Sequence, residues 1–244
     1  MKVGILETGE APVNLREKHG DYPSMFTRML MAHTPDLEVF TIHTHAGDIP
    51  ASPDMADGWI ITGSRHGVYD DLPWIEPLKH FLRACVSDNV PIAGICFGHQ
   101  ILAEALGGRV EKSDKGWGLG VHTYVAKKPP IWMEGFENGF TGHAIHQDQI
   151  VELAAQSSVI AHSDFCQYAA LVYGNPENPY AISVQSHPEF SANFVDDLVH
   201  LRMGKTFPKD VSLHARNTLG KYVHNNEWGG WISQFLKRAA KPPT

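Results

Sequence analysis

Seven residues, Gly94-Ile95-Cys96-Phe97-Gly98-His99-Gln100, constrain the fold of this chain more tightly than any others. They place a cysteine midway between two glycines, directly after a short apolar run. The pattern predicts a nucleophile elbow, in which the chain leaves a strand, turns sharply and enters a helix. Glycines two positions to either side permit a backbone approach that larger residues would block. The thiol is then held out at the turn. At the mouth of the following helix, unpaired N–H groups and the helix dipole favour negative charge, so Cys96 is expected to ionise more readily than a free thiol. A cysteine that merely fills space in the core is the alternative.

A second cluster, Gln185-Ser186-His187-Pro188-Glu189, follows the apolar stretch Tyr180 to Val184 and puts its histidine 91 residues after the cysteine. Proline excludes a helix interior, so the segment is expected to be extended, with His187 and Glu189 on one side. A histidine that takes the thiol proton, beside a carboxylate that fixes its tautomer and stabilises its cation, follows the logic of a nucleophile–base–acid triad. For His187 alone, a hydrogen-bonded strand-end histidine is an equal reading; the two clusters together favour the triad.

GICFGHQ, the later HPE and their spacing resemble class I glutamine amidotransferases over roughly residues 1 to 200. Among these, the loop ITGSRHG, the ALGG after the cysteine helix and the downstream HQD are most similar to small stand-alone members, including gamma-glutamyl peptidases and the amidotransferase part of GMP synthetase. The resemblance implies that Cys96 is the nucleophile, His187 the general base and then acid, and Glu189 the orienting carboxylate, acting through a gamma-glutamyl thioester. It also implies a single three-layer α/β domain, flavodoxin-like, with a central mainly parallel mixed sheet flanked by helices. That domain is expected over 1–204, with 205–244 as a C-terminal helical extension packed on it.

Composition is consistent with this fold class. The 244 residues, 43% apolar and 19% charged, suffice to bury one full core. Twenty basic against twenty-seven acidic residues give a net charge of −7, and no basic run exceeds two residues, which argues against a nucleic-acid partner. Three cysteines, Cys85, Cys96 and Cys166, form no paired framework, as expected in a reducing cytoplasm. Cys85 and Cys166 read as packing residues. The chain opens directly on strand-like Val3 to Leu6, from which neither a signal peptide nor a membrane span is expected.

Strands are expected over Lys2–Leu6, Leu37–Ile42, Gly58–Thr62 and Val90–Ile95, the last feeding the elbow. Helices are expected over Tyr22–Met31, from about Pro73 to Val86, and over His99–Leu106, closed by Gly107-Gly108. Further strand-like stretches at Val121–Ala126, Ala144–Leu153, Val159–His162 and Ala169–Tyr173 suggest an antiparallel extension of the sheet. Asn175 to Pro179 reads as a turn.

Acyl transfer needs hydrogen-bond donors where the carbonyl oxygen becomes negative. The N–H of Phe97 is the first candidate. The loop Gly63-Ser64 ends the preceding central strand and supplies the second, with Ser64 favoured by the resemblance; relatives more often carry a glycine-glycine-proline run here. By the same resemblance Gln100 contacts the substrate through its side-chain amide, and Gln147 and Asp148 through their backbone. Arg65 and His66 are candidates for binding a carboxylate, or equally for solvation. His43 and His45, with Asp48 near, raise a metal site as a minor alternative to turn polarity. Trp228, Trp231, Ile232, Phe235 and Leu236 recur at helical spacing and predict a helix packed on the domain's own sheet, with a homodimer seam as the second reading.

The sequence thus predicts a thiol hydrolase of a gamma-glutamyl amide needing no metal or organic cofactor. Its partner is a small molecule, glutamine or another gamma-glutamyl compound. No phosphate loop of the G-x-x-x-x-G-K-S/T form and no room for a nucleotide-activating domain are present. If the donor is glutamine, a separate synthase subunit would have to capture the ammonia. A gamma-glutamyl peptidase with another leaving group, and a non-enzymatic regulatory module on the same fold, stand as alternatives.

Overall fold

The computed structural model describes residues 1–239, so the last five positions of the expected C-terminal extension lie outside the described residues. A nine-stranded sheet organises the chain. Its first half is parallel: β2 (Glu38–Ile42), β1 (Lys2–Leu6), β3 (Gly58–Ile61), β4 (Ile92–Ile95) and β11 (Asn178–Val184) lie side by side in that order. The sheet continues antiparallel through β10 (Ala170–Asn175), β9 (Ser157–His162), β6 (Gly118–Ala126) and β7 (Phe140–His146). The turn expected after Asn175 is the tight connection of the β10–β11 hairpin.

Alternation along the central strands separates two cores. Ile60, Ala93 and Ile95 face α2 (Tyr22–Met31) and α7 (Asn225–Ala239). Trp59, Ile61 and Ile92 face the opposite layer, where α3 (Ile75–Ser87) and α4 (Phe97–Ala105) pack. Helices thus cover both faces of a mainly parallel sheet, giving three layers. A third apolar cluster joins α5 (Ala192–Arg202) and α6 (Lys209–Thr218) to the antiparallel half through Leu119, Ile145, Phe190, Phe194 and Ala215. Neither α5, α6 nor the short α1 (Val13–His19) was signalled by apolar periodicity; α6, for example, buries only Ser212, Ala215 and Thr218. Among the described residues, no helix is long and apolar enough to cross a membrane.

Several expected boundaries shift. The stretch Ala144–Leu153, expected as one strand, breaks at Gln147 into β7 and β8 (Asp148–Glu152), and β8 leaves the main sheet to pair with β5 (Arg109–Lys112). The cause is local: the Gln147 carbonyl accepts from the Ser113 N–H at 3.2 Å and the Asp148 carbonyl from the Gln100 side chain at 2.9 Å, so neither continues the β7 ladder. Pro73 lies ahead of α3, whose cap is Trp74, and α4 begins at Phe97, two residues earlier than expected.

The aromatic face of α7 lies inside the chain. Trp228, Trp231, Ile232, Phe235 and Leu236 are all buried, and Trp228 packs edge-on against Phe136 and Phe140. That face is therefore not available as a homodimer seam. Replacing a buried tryptophan by alanine removes its transfer energy and leaves a cavity. Trp228→Ala is expected to lower the unfolding free energy by about 3–5 kcal/mol in urea titration, within a single transition.

Candidate active site

The elbow forms where β4 ends. Cys96 caps α4 with φ 55° and ψ −104°, a left-handed backbone that an L residue adopts only when its surroundings enforce it. The enforcement comes from packing. A Cβ on Gly94 would stand 2.4 Å from the Gly98 carbonyl oxygen, and one on Gly98 would stand 2.4 Å from the Ile61 carbonyl oxygen. Only glycine at both positions lets strand, turn and helix nest this closely.

Register explains how residues 91 apart in sequence meet. β4 and β11 are parallel neighbours with Ile95 opposite Val184, and the Cys96 N–H donates to the Val184 carbonyl at 2.9 Å. Both strands therefore end at the same edge, and the residues that follow each of them face one another. Pro188 and Glu189 form a turn rather than prolonging the strand. The turn brings Glu189 Oε1 to 2.7 Å from His187 Nδ1. The Cys96 sulfur, whose thiol donates to the Ile145 carbonyl at 3.9 Å, lies close enough to His187 to act on its charge. Cys96, His187 and Glu189 are all buried.

The imidazole is closely packed. It stacks on Phe190 with ring centres 4.2 Å apart and planes 6° from parallel. Its Cε1 is so near Gly63 that a Cβ there would approach to 2.9 Å. Burial disfavours the imidazolium, but the Cys96 sulfur and the Glu189 carboxylate more than offset it and raise the His187 pKa to about 10. The neighbouring histidines behave oppositely. Burial pushes His99 and His146 down to about 3 and His143 to about 4, so these stay neutral.

Cys96 and His187 open onto a cleft of about 520 Å³ that Gly63, Ser64, Gln100, Gln147 and Asp148 also line. The Phe97 N–H, at the first position of α4, lacks an intrahelical acceptor and lies next to the sulfur-bearing residue. Gly63 and Ser64 sit across from it: a Cβ on Gly63 would be 3.7 Å from the Cys96 Cβ, and the Ser64 hydroxyl accepts from the His66 N–H at 3.2 Å.

Gln100, Gln147 and Asp148, the expected substrate contacts, all line the cleft and are also engaged within the chain. The Gln100 amide nitrogen donates to the Asp148 carbonyl at 2.9 Å and to Gln185 Oε1 at 3.1 Å. Gln100 thus braces the loop through the very amide group expected to touch substrate. The Asp148 carbonyl also faces His146 Nδ1 at 3.2 Å, and the Gln147 carbonyl is engaged by Ser113. These backbone oxygens are occupied internally. What Asp148 presents to the cleft is its carboxylate, with Tyr69, Lys112 and Asp70 nearby. Burial holds the Asp148 pKa above its ordinary value, and burial with that carboxylate pushes Tyr69 up to about 12. Tyr22, Tyr69, Phe190 and Arg202 on the cleft wall carried no motif; sequence offers no signal for them, because different elements bring them together.

His43 and His45 do not lie on a strand face. β2 ends at Ile42 and residues 44–46 form a 3₁₀ turn, from which His43 Nδ1 meets Glu7 at 2.7 Å and His45 Nδ1 the Glu7 carbonyl at 3.1 Å. Among the described residues, no three His, Cys, Asp or Glu side chains converge as a metal site. Cys85 and Cys166 are buried, which pushes each thiol up to about 12.

A strained cysteine elbow at the end of a central parallel strand, facing a histidine–glutamate pair from the next strand, is accompanied by a match to the family Glutamine amidotransferase class-I over residues 17–198. The chain belongs to the class I glutamine amidotransferase family. It is 25% identical to gamma-glutamyl peptidase 4 of Arabidopsis thaliana over 232 residues, covering 91% of this chain and 90% of that one. It is also 25% identical to a glutamine-hydrolyzing GMP synthase subunit of Methanococcus maripaludis, over 74% of this chain and 88% of that one. A glutamine amidotransferase structure from Thermotoga maritima superposes with a TM-score of 0.76 at 17% identity, covering 99% of each chain.

The imidazole's elevated pKa has a testable sign. In Cys96→Ala, burial is opposed by Glu189 alone, so the His187 titration followed by its Cε1–H NMR shift is expected to move well below about 10. An unchanged midpoint would mean that the sulfur does not act on the ring.

Proposed function

We propose that this chain is a cysteine-dependent hydrolase of gamma-glutamyl amides. The observation that carries the reading is the convergence on one open cleft of the strained Cys96 and the hydrogen-bonded His187–Glu189 pair. Kinship with gamma-glutamyl peptidases and with glutamine-hydrolyzing GMP synthases supports it.

In this reading the Cys96 sulfur attacks the side-chain carbonyl of the gamma-glutamyl group, with His187 holding the thiol proton. The oxygen becomes negative between the Phe97 N–H and the Gly63-Ser64 backbone. His187 Nε2 then gives its proton to the departing nitrogen, the C–N bond breaks, and a thioester remains. Water entering the vacated position loses a proton to His187 and releases glutamate, regenerating the thiol. Glu189 keeps Nδ1 protonated and the ring oriented through the 2.7 Å contact. The glutamyl head is a zwitterion, and one corner of the cleft offers a complement: the Asp148 carboxylate for its ammonium, and Lys112 for its carboxylate. Residues Gln100, Gln147 and Asp148 hold that corner in shape through their hydrogen bonds.

A second reading rests on the GMP synthase relatives: the leaving group is ammonia, delivered to a separate synthase subunit. Ammonia release from glutamine would favour it.

Cys96→Ala is expected to abolish hydrolysis of gamma-glutamyl substrates and the acyl adduct seen on the intact protein by mass spectrometry. Glu189→Gln is expected to lower kcat by about 10²–10⁴-fold. Full turnover by Cys96→Ala would remove the mechanism.

A further inference from the structure

Arg202 is an arginine without a counter-ion. It is the last residue of α5 and lines the cleft, half-buried, yet among the described residues its guanidinium makes no hydrogen bond or ion pair. Burial lowers its pKa, as expected of a cation withdrawn from water without compensation. A half-buried cation with no counter-ion on a cleft wall is a favourable place for an anionic group that arrives from outside.

The side chain is positioned by an apolar scaffold. The guanidinium carbon lies 5.7 Å from the centre of the Phe207 ring, which is buried and packed edge-on against Trp117 at 4.7 Å. Behind it, the N–H groups of Lys205, Thr206 and Phe207 all donate to the Arg202 carbonyl at 3.1 Å, fixing the chain where α5 ends. The head is therefore supported from the rear while its donors face the cleft. Beside it stands the buried hydroxyl of Tyr22, whose ionisation burial suppresses, so it remains a donor. Tyr22, Arg202 and Cys96 line the same cleft, and the charges of Arg202, Glu189 and Cys96 all reach that hydroxyl. Arg65 adds a second positive charge close to Arg202. Glu10, another carboxylate on the cleft, is paired with Arg16 at 3.0 Å.

The charges of the cleft are segregated. Asp148 is surrounded by Tyr69, Lys112 and Asp70, whereas Arg202 is influenced by Tyr22 and Arg65. Tyr22 also packs 5.5 Å from Phe190, the ring on which His187 stacks, so the cationic wall lies on the imidazole's side of the sulfur. The leaving nitrogen must approach that side to receive its proton. The glutamyl zwitterion already has both its charges answered at the Asp148–Lys112 corner, which leaves Arg202 for the other half of the substrate.

We propose that Arg202 and the Tyr22 hydroxyl bind a carboxylate on the amine half of the substrate, so that this chain acts on gamma-glutamyl amides whose leaving group is an amino acid or peptide. This rests on the hydrolase reading above and narrows it to a substrate class. Ammonia leaving from glutamine has no group to engage this site.

The test compares gamma-glutamyl-alanine with gamma-glutamyl-alaninamide, which differ only in the free carboxylate. The unaltered enzyme is expected to favour the free acid in kcat/KM by about 10–100-fold, the scale of a charge-assisted bidentate contact. In Arg202→Gln that ratio is expected to collapse toward unity, and Arg202→Lys to restore part of it. A native ratio near one, or a ratio unchanged in Arg202→Gln while both substrates slow equally, overturns the carboxylate site. Should Arg202→Gln not fold, Tyr22→Phe provides the same readout, with a ratio reduced by several-fold if the site is as described and unchanged if not. Cys96 acylation by the amidated substrate separates the two levels: an acyl adduct without carboxylate preference refutes only this inference, whereas no adduct from either substrate refutes the hydrolase reading and this inference with it.

Discussion

The backbone at Cys96 is the constraint on which the site depends. A positive φ with ψ near −104° is unfavourable for any residue with a Cβ, by a cost on the order of 1–3 kcal/mol. It persists because β3, β4 and the first turn of α4 pack so closely around Gly94 and Gly98 that the chain has no other course. The strain delivers three things at once. It turns the thiol out of the sheet, starts a helix whose free N–H groups point at the sulfur, and frees the Cys96 N–H to clasp the Val184 carbonyl. That last bond ties the elbow to the strand carrying His187. The two halves of the site are thereby registered through backbone, and the side-chain geometry follows.

Around this junction the electrostatics are arranged in opposite senses. His187 lies between two groups that can bear negative charge and holds its proton far above the ordinary imidazole range. His99, His143 and His146, equally buried but facing carbonyls or a hydroxyl, are held neutral. The same residue type thus supplies one proton carrier and three structural pins, with the difference set by neighbours and not by depth. The acidic corner at Asp148 and the basic wall at Arg202 extend this separation across the cleft.

The legible part of the molecule is the part governed by short-range rules. The elbow glycines, the strand feeding them and the His187–Glu189 pair follow from spacing, because strand alternation and backbone clearance operate over a few residues. The central strands and α2 were readable for the same reason, and the apolar stripe of α7 announced its own burial. What was not legible depends on neighbours distant in sequence. Gln100 lines the cleft, but that its amide also holds the Asp148 carbonyl of β8 could not be read from spacing. The single strand expected from Ala144 to Leu153 divides because Ser113 and Gln100 capture the carbonyls at the break. Arg202 stands just past the stretch that matches the family, on a helix whose weak amphipathic pattern gave no warning, and its lack of a counter-ion is a property of three dimensions.

Gly63 carries one more consequence. Beside the His187 Cε1 and the Cys96 Cβ there is no space at Gly63 for even a methyl group, and Phe190 stacks on the ring. Phe190 against the ring and Gly63 close to its Cε1 leave no room there for a bulkier neighbour. Remodelling of substrate choice on this scaffold therefore has to occur further out, at the exposed Arg65 and Tyr69 and along the segment after α5, leaving the proton-transfer geometry intact while the rim changes.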